Sequence, residues 1–314
     1  MNSAMGPVVL GVDTAVLGAN RAGMEFAMNQ ARQRGVSVQV VHGCAPRHRL
    51  APTDPWVDSE QLEHGRGIVG RAAQQLRRIS RHQVPIEVAN VPVSGVDALL
   101  AASADASLVV LQAHARPDRE VGEPGSTIRA VAARAACPVI VLPGAKTEGP
   151  EGGIIVGVEE HGRAQGAVRA AMEQAARDGS PVTAVYAWNL PMSEASSYGV
   201  VSSSELPATA REAAGRLMSE ALAGLAEDFP TVDLRTRLVR GRVVDVLREA
   251  GQDARLLVIG RHTNSRLQFH ALGHATRALL RDAPCPLMVV PPAGPFRAPL
   301  TSLLAADVPI GSGY

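Results

Sequence analysis

The segment Cys137-Pro138-Val139-Ile140-Val141-Leu142-Pro143 decides the fold, because the chain repeats it as Cys285-Pro286-Leu287-Met288-Val289-Val290-Pro291. A second pair of segments, Val8-Val9-Leu10-Gly11-Val12-Asp13 and Ile154-Ile155-Val156-Gly157-Val158-Glu159, is related in the same way. The shift is 148 positions from Cys137 to Cys285 and 146 positions from Gly11 to Gly157. A nearly constant shift over a whole unit indicates an internal duplication.

We therefore expect two domains, over residues 7–143 and 153–291, followed by a flexible tail over residues 292–314. Apolar strand patterns alternate with Ala/Leu/Arg-rich helical patterns, such as 22–34 and 217–227, which predicts an α/β fold with a parallel sheet covered on both faces. Each sheet is expected to have five strands in the order 3-2-1-4-5. The expected strands lie near 7–13, 37–42, 86–91, 107–112 and 138–143, and near 153–159, 181–187, 232–239, 255–260 and 286–291.

The fifth strand of each repeat needs a partner. In this order it lies at an edge, yet residues 139–142 and 287–290 are entirely apolar, and an exposed apolar edge invites aggregation. The third strand, by contrast, alternates between apolar and polar residues over 232–238, which suits an edge that faces water. We predict that the two fifth strands pair with each other, either across the repeats of one chain or between the chains of a homodimer.

The composition argues against several classes of protein. Lys+Arg 31 against Asp+Glu 30 gives a formal net charge of +1, so the overall field does not favour nucleic acid. Three cysteines without CxxC spacing favour neither a disulfide framework nor a metal site, and Cys137 and Cys285 are expected to be buried packing residues. The longest apolar runs fall far short of the roughly 20 residues of a membrane span. We expect a cytoplasmic protein that binds neither nucleic acid nor membrane.

A ligand is expected between strands 1 and 4. In an open parallel sheet, ligands bind beyond the carboxyl ends of the strands, where the strand order reverses. Strand 1 ends at Asp13 or Glu159, and strand 4 ends at Gln112 or Gly260. A helix then begins near Gly125-Ser126-Thr127 in the first repeat and near Gly273-His274-Ala275 in the second. A glycine at a helix N-terminus admits a phosphate group to the backbone N–H groups, while the strand-1 acid would accept from a ribose hydroxyl or an adenine amine.

On these residues, both repeats resemble universal stress protein domains, and the whole chain resembles the tandem form of that family. The resemblance rests on the G-V-D-x start at Gly11, the LVV run at Leu108, and the helices that lead into A-C-P-V-I-V and P-C-P-L-M-V. It implies Rossmann-like domains of the adenine nucleotide alpha hydrolase type, with ATP and magnesium as the expected ligand. Nucleotide-binding members have Gly, two residues, Gly, nine residues, and then Gly-Ser or Gly-Thr after strand 4.

Both repeats keep this spacing but lose glycines from it. Gln112 and Ala115 stand at the two early glycine positions of the first repeat, whereas Thr263 and His274 replace the second glycine and the hydroxyl residue of the second repeat. Each residue that replaces a glycine would cost on the order of 1 kcal/mol of binding free energy, and its side chain would narrow the crevice. The candidate nucleotide-binding residues are Asp13, Gln112, Ala115, Gly125, Ser126 and Thr127, and Glu159, Gly260, His262, Thr263, Gly273, His274 and Ala275.

The resemblance implies a sensor or regulator of stress adaptation rather than a metabolic enzyme. We find no G-x-S-x-G elbow, no H-E-x-x-H pair and no P-loop in the sequence, so any ATP turnover is expected to be slow and incidental. Two alternatives stay open. One is a scaffold that has lost nucleotide binding, which the broken glycine pattern supports; the other is an enzyme acting on adenylated substrates, which lacks an evident catalytic group.

Two further patterns favour a structural interpretation. The G-x-G-x-x-G at residues 65–70 lies inside a helical pattern, whereas a dinucleotide site needs it directly after a strand. A group of potential metal ligands matches no zinc spacing; it comprises His42, Cys44, His48 and His64.

Overall fold

The computed structural model describes residues 5–13, 21–44, 59–81, 83–113, 125–144, 152–159, 164–188, 206–261 and 272–292. The first repeat contains β1 (Val8–Gly11), α1 (Arg21–Arg34), β2 (Val38–Gly43), α2 (Ser59–Ser80), β3 (Ile86–Val91), α3 (Gly95–Ser103), β4 (Leu108–Gln112), α4 (Ser126–Arg134) and β5 (Val139–Leu142). The second contains β6 (Ile154–Gly157), α5 (Ala164–Asp178), β7 (Val182–Trp188), α6 (Leu206–Leu222), α7 (Leu225–Asp228), β8 (Leu234–Arg240), α8 (Val243–Ala250), β9 (Leu256–Gly260), α9 (His274–Arg281) and β10 (Leu287–Val290).

The ten strands among the described residues form one sheet in the order β3-β2-β1-β4-β5-β10-β9-β6-β7-β8. Within each repeat the neighbouring strands are parallel, which confirms the predicted order 3-2-1-4-5. The fifth strands, β5 and β10, pair antiparallel with Ile140 opposite Met288. The predicted pairing of the fifth strands is therefore confirmed, and it occurs within one chain.

The central strands are buried on both faces because helices cover each face of the sheet. Met24 of α1 and Met172 of α5 pack on one face, together with Leu10 of β1. Leu99 of α3 and Leu247 of α8 pack on the opposite face. Each of these two apolar layers runs through both repeats, so the duplicated halves share their core.

The outer strands β3 and β8 form the two edges of the sheet. Val88 of β3 is 51% exposed, and Arg235 and Arg237 of β8 are exposed. The prediction that the alternating pattern over residues 232–238 marks an edge strand is therefore confirmed.

The prediction of a single helix over 217–227 is wrong, because the structure divides this segment between two helices. The helix α6 ends at Leu222 and the short α7 begins at Leu225. Between them Gly224 has φ 77°, a left-handed backbone that glycine adopts without steric cost and that terminates a right-handed helix.

The G-x-G-x-x-G segment at residues 65–70 lies inside α2, which confirms the prediction that it belongs to a helix. A Cβ at Gly65 would overlap the amide of Asn90 on β3. Asn90 Nδ2 donates a hydrogen bond to Leu62 O at 2.9 Å. Gly65 thus allows α2 to approach β3 closely.

A polar cluster joins α1 to α5 across the two repeats. Arg34 Nη2 donates to Gln174 Oε1 at 3.0 Å, and Gln174 Nε2 donates to Gln33 Oε1 at 3.1 Å. Gln174 is almost fully buried, and burial, reinforced by the nearby charge of Arg177, lowers the pKa of Arg34 to about 10.

In the described parts of the chain, none of the helices combines the length and the apolar character that a bilayer crossing requires.

Candidate functional site

A cleft of about 290 Å³ opens at the carboxyl ends of β1 and β4, where the strand order reverses. Five of the predicted first-repeat residues line it, and the sixth, Ala115, lies outside the described residues. The lining residues are Gly11, Val12, Asp13, Val41, His42, Gly43, Gly95, Leu99, Leu111, Gln112, Gly125, Ser126, Thr127 and Ile128.

One end of this cleft is the N-terminus of α4. Gly125 is the N-cap residue, with φ −56° and ψ 156°, and makes no side-chain capping hydrogen bond. The first bond into the helix runs from Arg129 N to Gly125 O at 3.2 Å, so the preceding N–H groups have no carbonyl partner within the helix. Those groups belong to Ser126, Thr127 and Ile128, which line the cleft. The positive end of the helix dipole therefore faces the cleft.

Gln112 does not block the cleft, contrary to what the loss of a glycine there suggests. Its side-chain Oε1 accepts a hydrogen bond from Gly23 N, in the first turn of α1, at 2.9 Å. The Gln112 side chain thereby satisfies an N–H group of α1 and is held toward that helix.

The opposite side of the cleft carries two polar groups. Asp13 is exposed at the end of β1. His42 Nδ1 lies 2.9 Å from Val12 O, and because a carbonyl oxygen can only accept, Nδ1 donates in this bond. Sequence reasoning grouped His42 with potential metal ligands and missed its place in the cleft; its position at the end of β2 was the available signal.

The lining near β2 also includes two glycines that sequence reasoning missed. A Cβ on Gly43 would lie 2.6 Å from both the Cα and the N of Gly95. A Cβ on Gly95 would meet no atom of the described residues within 4 Å, so it would point into the space of the cleft. Ser94 fixes the start of α3 beside them, since its Oγ accepts from Asp97 N at 3.1 Å and donates to Asp97 Oδ2 at 2.6 Å.

The corresponding place in the second repeat is almost filled. The described residues leave about 10 Å³ there, roughly the space of a single water molecule. Glu159 and Ala275 line this remnant, together with Val243 and Leu247 of α8. Of the other predicted residues, Gly260 ends β9, Gly273 is the buried N-cap of α9 and His274 is exposed, while 262–263 lie outside the described residues.

The potential metal ligands are not assembled in the part of the chain that the structure describes, where no group of three His, Cys, Asp or Glu residues could hold a metal ion. Cys44 is buried, its Sγ donates to Val91 O at 3.3 Å, and burial raises the pKa of its thiol. His64 is exposed on α2, and His48 lies outside the described residues.

Comparisons with known proteins agree with the duplication. A model described as the universal stress protein family matches residues 5–143 and 153–291. A universal stress protein of Mycobacterium tuberculosis is 27% identical over 271 residues, which cover 82% of this chain and 87% of the relative. The crystal structure of a universal stress protein from Archaeoglobus fulgidus covers 90% of this chain and 96% of its own, with 14% identity and a TM-score of 0.60. Another Archaeoglobus fulgidus protein of this family, solved in complex with dAMP, covers 44% of this chain and 98% of its own, with 26% identity and a TM-score of 0.34.

Proposed function

This chain belongs to the universal stress protein family, and we propose on that premise that its first repeat binds an adenine nucleotide in the cleft between β1 and β4. One observation carries the proposal. The same cleft of about 290 Å³ is lined by the N-terminus of α4, where Gly125 supplies no capping side chain, and by Asp13.

The phosphate groups would lie at the α4 end. Backbone N–H groups at a helix N-terminus and the helix dipole together favour an anion. The hydroxyl groups of Ser126 and Thr127 would add hydrogen bonds to it. Gly125 presents no side chain, and a Cβ there would meet no atom of the described residues within 4 Å, so none of these residues obstructs the approach to the N–H groups.

The nucleoside would lie toward β1 and β2. Asp13 would accept a hydrogen bond from a ribose hydroxyl or from the adenine amine. Apolar side chains from Val41, Leu99 and Leu111 line the same cleft and suit the faces of a purine ring.

We propose that the nucleotide acts as a signal, so that occupancy of this cleft controls binding of a protein partner during stress adaptation. ATP with magnesium is the first ligand to test. The alternative of a scaffold without nucleotide is favoured for the second repeat, because its cleft is reduced to about 10 Å³.

The test is a calorimetric titration of the purified full-length chain with ATP, AMP and adenosine, with and without magnesium. Mass spectrometry of the protein as purified would detect retained nucleotide. Saturable heat and a raised melting temperature with ATP or AMP are expected. Absence of both effects at millimolar concentrations of all three ligands would overturn the proposal and favour the scaffold.

A further inference from the structure

The two repeats differ at a pair of equivalent positions beside the cleft. Val12 N donates to Val41 O at 3.1 Å in the first repeat, and Val158 N donates to Val185 O at 2.9 Å in the second. These matching bonds fix the register, so that the residues two positions further along, 43 and 187, are equivalent. They are glycine in β2 and alanine in β7.

The helices that follow the third strands differ in the same way. Gly95 is the first residue of α3 and Val243 is the first residue of α8. Both helices then place a leucine against the strand-1 glycine: Leu99 lies beside Gly11, and Leu247 beside Gly157. The helices are therefore equivalent, and their first residues are a glycine at the open cleft and a valine at the filled one.

Two other differences, at the start of the helix after strand 4, would enlarge the second cleft. Thr127 and Ile128 of the first repeat correspond to Ala275 and Thr276 of the second, which are smaller side chains. Among the described residues, closure of the second cleft is therefore assigned to positions where its side chain is larger. Such positions are the two glycine positions, Glu159 in place of Asp13, Tyr186 in place of His42 and His274 in place of Ser126. Of these larger residues, Ala187, Val243 and Glu159 line the remnant of the second cleft.

The glycine pair has a direct steric role. Gly43 leaves room for the backbone of Gly95, because a Cβ on Gly43 would come within 2.6 Å of it. The space beyond Gly95 holds none of the described atoms within 4 Å of a Cβ built there, and Gly95 lines the cleft. At the equivalent place the Val243 side chain, 39% exposed, lines the remnant of the second cleft beside Ala187.

We infer that Gly43 and Gly95 determine which repeat accepts a ligand, and that Ala187 and Val243 close the second cleft, so that one chain binds one nucleotide. This inference rests on the proposed function. Because β2 lies on the far side of β1 from β4, the glycine pair lies away from α4. With the phosphate groups at α4, the glycine pair would border the nucleoside, and it limits the size of the base that enters.

The test is the stoichiometry and affinity of binding, with AMP and with adenosine as probes. The wild-type chain is expected to bind one molecule, and Gly95→Val is expected to weaken both probes at least tenfold. The matched change in the other repeat, Val243→Gly, should leave the affinity of the first site unchanged. Gly95→Ala is expected to reduce the affinity for both probes by an intermediate amount. A thermal melting curve of each variant then distinguishes occlusion of the cleft from misfolding.

The reverse experiment reopens the second cleft. The double variant Ala187→Gly/Val243→Gly is expected to show an enlarged second cleft in its crystal structure and to bind a second adenosine per chain. A second cleft that stays closed in this variant would overturn the inference. So would two bound molecules in the wild type, or undiminished binding by Gly95→Val, although the proposed function would survive both results. A wild-type chain that binds neither probe, and no ATP either, would instead defeat the proposed function itself.

Discussion

Replacing Ser126 by glutamate separates phosphate binding from helix stability. Ser126 is the exposed first residue of α4, next to the N-cap Gly125. A carboxylate there complements the helix dipole and should stabilise the protein by about 0.3–1 kcal/mol. It also places a negative charge beside the proposed phosphate position. At about 5 Å two unit charges repel by ~0.8 kcal/mol at the dielectric constant of water and by ~3 kcal/mol at an effective constant of 20.

These energies predict that Ser126→Glu weakens binding of AMP or ATP by about fourfold to 200-fold, with the larger effect at low ionic strength. Adenosine has no phosphate and should lose little affinity. The matched control is His274→Glu, at the exposed first residue of α9 in the second repeat. Calorimetric titrations at two salt concentrations measure the affinity for each ligand, and a melting curve of each variant measures its stability. Equal losses for adenosine and AMP, or no loss for AMP, would refute the assignment of the phosphate to α4.

Three further predictions concern stability. Gly65→Ala should be less stable than Gly70→Ala by about 1–3 kcal/mol in urea titrations, because the Cβ at position 65 would overlap the Asn90 amide and disturb its hydrogen bond to Leu62 O. Gly70→Ala alone should raise the free energy of unfolding by about 0.5–1 kcal/mol, since a Cβ there lies on the exposed side of the same helix and meets no described atom within 4 Å. Ile140→Lys puts a charge into the buried pairing of β5 with β10 and should cost at least about 3 kcal/mol; an unchanged urea midpoint would contradict that pairing. Burial raises the pKa of Cys137 to about 12, above that of an unfolded thiol, so the unfolded chain releases this proton first and stability should fall as the pH rises from about 9 toward 12. Cys137→Ala should reduce the slope of that fall.

The sequence was sufficient for features that depend on repeated local patterns. Continuous apolar runs such as Val139–Leu142 predict buried strands, and their edge position in the order 3-2-1-4-5 predicts that they pair. The start of α4 at Ser126 follows from a glycine before a helical pattern. Each of these expectations needs only the period of the sequence and the rules of parallel sheets.

The parts that sequence reasoning missed depend on contacts between distant segments. The direction of Gln112 is set by Gly23, which lies 89 positions earlier in the chain. The room in the cleft is set by Gly43 and Gly95, which come together only when α3 packs at the end of β2. Neither glycine belongs to a recognised pattern. A comparison of the two repeats position by position, with attention to side-chain volume, was the signal that could have found them.

The continuous sheet explains how one repeat can lose its cleft while the duplicated chain keeps both halves. Removing the second repeat would expose the apolar edge of β5 and one end of each core layer. The second repeat also contacts the helix that borders the proposed site, since Arg261 Nη1 donates to Ala135 O, at the carboxyl end of α4, at 2.7 Å. A cation at that end complements the dipole of the helix whose opposite end faces the cleft. The second repeat therefore needs only to hold β5 and α4 in place. It can do so whether its own cleft is closed or open.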